Sequence, residues 1–204
     1  MFWTRLHQFD QQVTLAINSW STPVTDPLWQ FFSNIPVWIP MYVLIVALLV
    51  QRLGWKKGLI IVLAAAAAFG FCDQFSNIIK DLVGRVRPLN DEFMKANGLV
   101  VLEKGSRSFS FFSAHAANAF GLAACTSIGL KMDRRWFPAG GSPVSWGKAY
   151  IWWMFIWASL VAVSRVFVGK HYLGDVVAGA LIGIIAGAFF ALLAKAIIRR
   201  FIKN

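Results

Sequence analysis

Long stretches without charge constrain this chain more than any other feature. None occurs between Pro27 and Gln51, and Ser108–Leu130 is an uncharged run of 23 residues. Runs of this length match the roughly 20 apolar residues that a helix needs to cross a bilayer. The composition of all 204 residues agrees: 58% are hydrophobic, only 14% are charged, and mean hydropathy is +0.60. So little polar surface does not suit a water-soluble chain. The expected fold class is all-α, a polytopic membrane helix bundle of a single domain spanning 1–204.

Five spans are expected: about Pro36–Val50, Gly58–Ile79, Ser108–Leu130, Ala149–Val163 and Val176–Ala194. Pro36 and Pro40 suit the entry of the first. The alanine-rich centre of the second, Ala64–Ala68, permits close helix packing. Ahead of them lies an N-terminal amphipathic segment, 1–33. There Phe2, Leu6, Phe9, Val13, Ile17 and Trp20 recur at helical spacing, with Asp10, Gln11 and Gln12 opposite. Such a helix lies in the membrane interface or packs as a first helix. Met1–Arg5 is too short and polar to open a cleavable signal peptide. Cys72 and Cys125 sit inside apolar runs and read as small buried side chains.

The net charge of +11 would suggest nucleic acid in a soluble protein. Here the basic residues cluster between apolar runs, so topology and anionic ligands account for them and no nucleic-acid partner is expected. Five spans place loops 51–57 and 131–148, the latter with Pro138, Gly140, Gly141 and Pro143, on one side with the C-terminal tail. That side holds 11 of the 20 Lys and Arg residues. The positive-inside rule assigns it to the cytoplasm. Loops 80–108 and 164–175 then face the periplasm or cell exterior, expected across a bacterial inner membrane.

Three segments of that outer side carry chemistry. Ser164–Asp175 packs Arg165, Lys170, His171 and Asp175 into twelve residues. With a helix starting near Lys170, His171 and Asp175 would share a face. A carboxylate beside a histidine sets its tautomer and raises its basicity, which makes His171 a candidate nucleophile or base. Arg165 can grip an anion bidentately. Lys80 ends the second span and Arg87-Pro88 follows seven residues on, two cations able to hold an anion. In Ser110–His115, Ser113 can cap a helix whose free N–H groups, that of Ala114 among them, favour an anion, with His115 one turn in. Singly, each has an ordinary structural reading: interfacial snorkelling, a structural histidine, an ion pair. Together they suit a phosphate monoester.

The combination resembles the type 2 phosphatidic acid phosphatase family, membrane relatives of vanadium haloperoxidases and glucose-6-phosphatase. Its pattern is KxxxxxxRP, PSGH and SRxxxxxHxxxD. The first stands here as Lys80…Arg87-Pro88 and the third as Ser164-Arg165…His171…Asp175. The second is altered to Phe112-Ser113-Ala114-His115. The resemblance, with its motifs running over 80–175, implies that His171 attacks phosphorus to form a phosphohistidine, oriented by Asp175. His115 protonates the leaving oxygen and then activates water. Lys80, Arg87, Arg165, Ser113 and the Ala114 N–H bind the phosphate. No metal or other cofactor is implied. The implied substrate is a membrane lipid phosphate: a polyprenyl diphosphate, phosphatidylglycerophosphate, phosphatidic acid or a lipid A phosphate. Rival readings are a metal-dependent hydrolase on His115, His171 and Asp175, a lipid phosphotransferase, and a non-catalytic lipid-binding or transport protein.

Overall fold

The computed structural model describes residues 2–103, 105, 108–137 and 146–202. Pro138, Gly140, Gly141 and Pro143 of the loop read above, and Lys203 of the tail, lie outside the described residues. The described chain is all-α. Its helices are α1 (Phe2–Asn18), α2 (Asp26–Ser33), α3 (Ile39–Leu53), α4 (Trp55–Val83), α5 (Glu92–Ala96), α6 (Ala114–Leu130), α7 (Trp146–Phe167) and α8 (Leu173–Phe201). Four of them, α3 with its preceding turn, α4, α7 and α8, are long and apolar enough to cross a membrane.

The third expected span, Ser108–Leu130, gives a helix shorter than its uncharged run. The backbone is not helical until Ala114, because Ser113 turns extended and its hydroxyl accepts the Ala116 N–H as an N-cap. At 17 residues α6 is about 25 Å long, less than a hydrocarbon core. Its position makes this tolerable. Most of α6 is buried, packed among α4, α7 and α8, so its backbone meets protein rather than lipid.

Small residues bring α8 against α6. Gly179, Gly183 and Gly187 face the carbonyls of Ser113, Ala117 and Gly121, and a Cβ on Gly183 would fall 2.1 Å from the Ala117 oxygen. This is the small-xxx-small packing that serves where apolar burial cannot drive association. It ties the start of α6, with Ser113, to the start of α8, with Asp175. The Ser113 N–H donates to the Asp175 carbonyl at 3.0 Å. The alanine centre of α4 behaves as expected, with Ala64 and Ala68 buried, and Cys72 and Cys125 are buried free thiols.

The N-terminal segment is helical, but its faces are used the other way from an ordinary packing helix. Leu6, Phe9 and Trp20 are exposed, while Gln11, Thr14 and Asn18 are buried. The polar stripe meets the loops and helix ends of α7 and α8. Asn18 Nδ2 donates to the carbonyls of Val100, Val166 and Phe167, each at 3.1 Å. Of the apolar stripe, Leu6 and Phe9 stay exposed, while Ile17 packs against the cluster of Ala116, Ala162, Val166 and Val176.

Candidate active site

One end of the bundle gathers the three segments singled out by sequence. Lys80 lies in the last turn of α4, which Gly84 closes in a left-handed cap (φ 61°). The chain then runs extended through Arg87 into Pro88. Arg165 lies in the last turn of α7, Gly169 turns the chain with φ 79°, and His171 precedes α8. His115 is the second residue of α6 and lies within electrostatic reach of Arg165, His171, Lys80 and Arg87.

The expected helical pairing of His171 with Asp175 takes a different form. Because α8 starts only at Leu173, His171 sits outside the helix and Asp175 reaches back from its first turn. Asp175 Oδ2 accepts the Tyr172 N–H at 3.1 Å and the Ser110 hydroxyl. It stands 3.5 Å from His171 Nδ1, an ion-pair distance rather than a formed hydrogen bond. On the other side of the ring, Arg87 Nη1 lies 3.1 Å from Nε2. A guanidinium only donates. Nε2 must therefore be the bare nitrogen, and the proton sits on Nδ1, facing Asp175. That is the tautomer a nucleophilic Nε2 requires. Burial, with Arg87 and Arg165 nearby, pulls the His171 pKa down to about 4, against the opposing pull of Asp175. The ring is neutral at pH 7.

The cations around it are buried and are held largely by neutral groups. Lys80 Nζ donates to Ser76 Oγ at 2.9 Å. Arg87 donates to the Ser108 carbonyl and hydroxyl, both at 2.8 Å, and to the Lys170 carbonyl at 3.1 Å. Arg165 Nη1 donates to the Ser33 hydroxyl and more weakly to Glu103 Oε2 at 3.4 Å, while its buried Nε has no partner among the described residues. Lys170, not among the expected phosphate ligands, donates to the Gly105 carbonyl at 2.7 Å. The Ala114 and His115 N–H groups belong to the first turn of α6, where no intrahelical acceptor exists. Ala114 has ordinary helical backbone, so the freedom of a glycine is not needed there. Phe112 is fully buried and packs against Phe75, filling the altered motif with apolar volume.

His115 stands at a junction. Towards the membrane interior an apolar cavity of about 470 Å³ opens between α3, α4, α6 and α7, lined by Trp38, Tyr42, Phe69, Leu122 and Trp157. Towards the rim, a polar hollow of about 500 Å³ is lined by Gln30, Ser33, Asn34, Glu103 and Arg165. An amphiphile with a phosphoryl head and an apolar body has both halves of a place here.

The residues that sequence reading missed are Arg85, Asp10, His7, Ser33, Ser76, Ser108 and Glu103. Only Arg85 left a usable signal. In an extended stretch, residues two apart share a face, and Arg85 stands two before Arg87. The others come from segments with no motif.

Cations gathered around an imidazole at one end of a helical membrane bundle suit a phosphoryl group, and likeness to known proteins gives the class, a membrane phosphatase. The family model of the PAP2 superfamily matches residues 54–199, and the chain belongs to that superfamily. It is 34% identical over 198 residues to a lipid A 4'-phosphatase of Bacteroides thetaiotaomicron, covering 96% of this chain and 81% of the relative. It is 26% identical over 184 residues to a lipid A 4'-phosphatase of Porphyromonas gingivalis, covering 89% and 71%. Two solved structures share the fold at 22% identity. The transmembrane PAP2-type phosphatidylglycerolphosphate phosphatase of Bacillus subtilis gives a TM-score of 0.68 over 98% of this chain and 89% of that one. LpxE of Aquifex aeolicus gives 0.60 over 88% and 92%.

Proposed function

We propose that this protein removes the 4'-phosphate of lipid A, or of a closely related acylated sugar phosphate, through a phosphohistidine and without a metal. The observation that carries the reading is the place of His115, where the apolar cavity meets the polar hollow that holds Arg165. A lipid whose acyl chains enter between α3, α4, α6 and α7 would present its phosphate beside both histidines. The names of the two relatives favour lipid A over the other amphiphiles that such a junction would accept.

In the proposed mechanism His171 Nε2 attacks phosphorus in line with the ester oxygen. The P–O bond breaks as the P–N bond forms, and His115 gives the departing oxygen its proton. His115 then takes a proton from water, whose oxygen attacks phosphorus and releases inorganic phosphate and neutral His171. Lys80, Arg87, Arg165, the Ser113 hydroxyl and the Ala114 N–H carry the non-bridging charge. Asp175 is a poor metal ligand in this arrangement, because Arg85, Ser110 and Tyr172 already occupy its oxygens. The active-site end would face the periplasm, since Arg52, Lys56, Lys57, Arg134, Arg135, Arg199 and Arg200 all lie at the other.

The test is phosphate release by the purified protein from 4'-phosphorylated lipid A, 1-phosphorylated lipid A, phosphatidylglycerophosphate and a polyprenyl diphosphate, with and without excess chelator. Release from the 4' position in chelator is expected, together with an acid-labile phosphoprotein in quenched samples. His171→Ala should lose at least about 10³-fold in turnover, roughly 4 kcal/mol of barrier. Retention of more than about a tenth of wild-type rate in that variant removes the nucleophile assignment.

A further inference from the structure

The inward polar stripe of α1 reaches, through Arg85, the carboxylate of Asp175. Arg85 Nη1 bonds Asp175 Oδ1 at 2.6 Å, and its Nη2 bonds Asp10 Oδ2 at 2.7 Å and His7 Nδ1 at 3.1 Å. The guanidinium lies 3.9 Å above the Tyr172 ring, which fixes its plane. Asp10 uses its second oxygen on the Gly174 N–H at 2.8 Å, and one turn on, Thr14 Oγ1 accepts the Leu173 N–H at 2.9 Å. These are orphan donors of the α8 N-terminus, where Tyr172 makes no side-chain cap. Gly174 permits the approach: a Cβ there would lie 2.7 Å from Asp10 Oδ2.

We infer that Asp10 and Arg85 are positioning residues for the hydrolytic reaction, acting through Asp175 on the His171 ring. The inference rests on the reading of His171 as nucleophile. The physical reason is rotational. A carboxylate held by one oxygen can swing about its Cβ–Cγ bond. Arg85 takes Oδ1, so the plane is set and Oδ2 stays aimed at Nδ1. Arg85 is itself held from behind by α1, and α1 also caps the helix that carries Asp175. The carboxylate and its helix are thus held by the same face of one element. As Nε2 bonds phosphorus the ring becomes cationic, and a carboxylate already in place stabilises it without reorganising. Arg85 bonds Asp175 whereas Arg87, two residues on, faces the His171 ring, which separates their tasks.

The experiment measures kcat and KM in detergent micelles, on the lipid phosphate that the protein hydrolyses best, for the full chain and four variants: Arg85→Gln, Arg85→Lys, Asp10→Asn and Arg85→Gln in an Asp175→Asn background. Arg85→Gln is expected to lower kcat by about 30-fold with KM within about twofold, because the interaction acts in the transition state. Arg85→Lys should regain part of that loss. In the Asp175→Asn background, Arg85→Gln should cost less than about twofold, since its effect passes through the carboxylate already removed. Asp10→Asn, nearly isosteric, should lose about fivefold in kcat and carries the same test if Arg85→Gln fails to assemble. Equal losses in both backgrounds, a rise in KM at unchanged kcat, or wild-type kcat in both Arg85→Gln and Asp10→Asn would each overturn the inference. Wild-type kcat in His171→Ala would instead sink the reading beneath it.

Discussion

Two charged clusters stand at opposite ends of this bundle, and they differ in what neutralises them. At the end where α3 stops and α6 gives way to its loop, Asp133 is buried between two arginines. Arg52 Nε bonds it at 2.7 Å and Arg135 Nε at 3.2 Å, while the Arg135 guanidinium also reaches the Arg52 carbonyl and Arg52 lies over the Trp136 ring. That cluster has its anion built in. At the other end, Lys80 and Arg87 are as deeply buried, yet among the described residues neither has a carboxylate within ion-pair distance, and Arg165 has only a weak one at 3.4 Å. Buried cations held by hydroxyls and carbonyls are expensive unless an anion arrives. The contrast teaches how to tell an anion site from an ion-pair cluster: the distinction lies in missing counter-charge, since both are rich in arginine.

Four measurements test how the two ends differ. The largest effect belongs to the active-site end, where Arg165→Lys should cost about 10²-fold in kcat/KM, because a point charge does not replace a planar fork. A fall of less than about threefold would mean that Arg165 holds structure rather than phosphate. Next, inorganic phosphate should raise the unfolding temperature of the wild type. The gain approaches about 2.7 kcal/mol at a hundred times its Kd, and it should vanish in Arg87→Gln. At the opposite end Asp133→Asn should destabilise by about 2 kcal/mol, leaving two cations facing each other, with kcat unchanged. If phosphate protects Asp133→Asn less than wild type, the two ends are not independent.

The smallest effect is in pH. His171 has a folded pKa of about 4 against an ordinary 6.5, so the unfolded chain binds the extra proton between those values. Its contribution to stability is full above pH 6.5 and is lost as pH falls towards 4. Over the first unit below 6.5, wild type should lose about 1 kcal/mol more than His171→Gln in chemical denaturation. Equal slopes would show that the ring is not buried neutral.

Much of the fold was legible because hydropathy is additive along the chain: the bilayer asks only for length and apolarity, and the spans on α3, α4, α7 and α8 stand where that rule puts them. The failures came where a single capping residue outweighed composition. Ser113 delays α6 by several residues although Ser108–Leu130 is uncharged throughout. Likewise α8 begins after His171, so the histidine and Asp175 meet across a helix end. The glycine stripe at 179, 183 and 187 was open to reading at its four-residue spacing. The polar stripe of α1 was visible too, but nothing local says that a membrane-bound helix will turn it towards protein.

By itself, the sequence determined which groups are present: spans enough for a membrane bundle, and the lysine, the arginines and two of the three histidines of an outer rim. These follow from side-chain chemistry and from periods of a few residues. Only the tertiary structure decided who pairs with whom. Arg85 finds Asp10 and Asp175 at chain separations of 75 and 90 residues, and leaves Arg87 facing the imidazole. Arginines two residues apart and of like chemistry differ in task because partner choice depends on distances in space, which loop closure and helix packing set and local pattern does not.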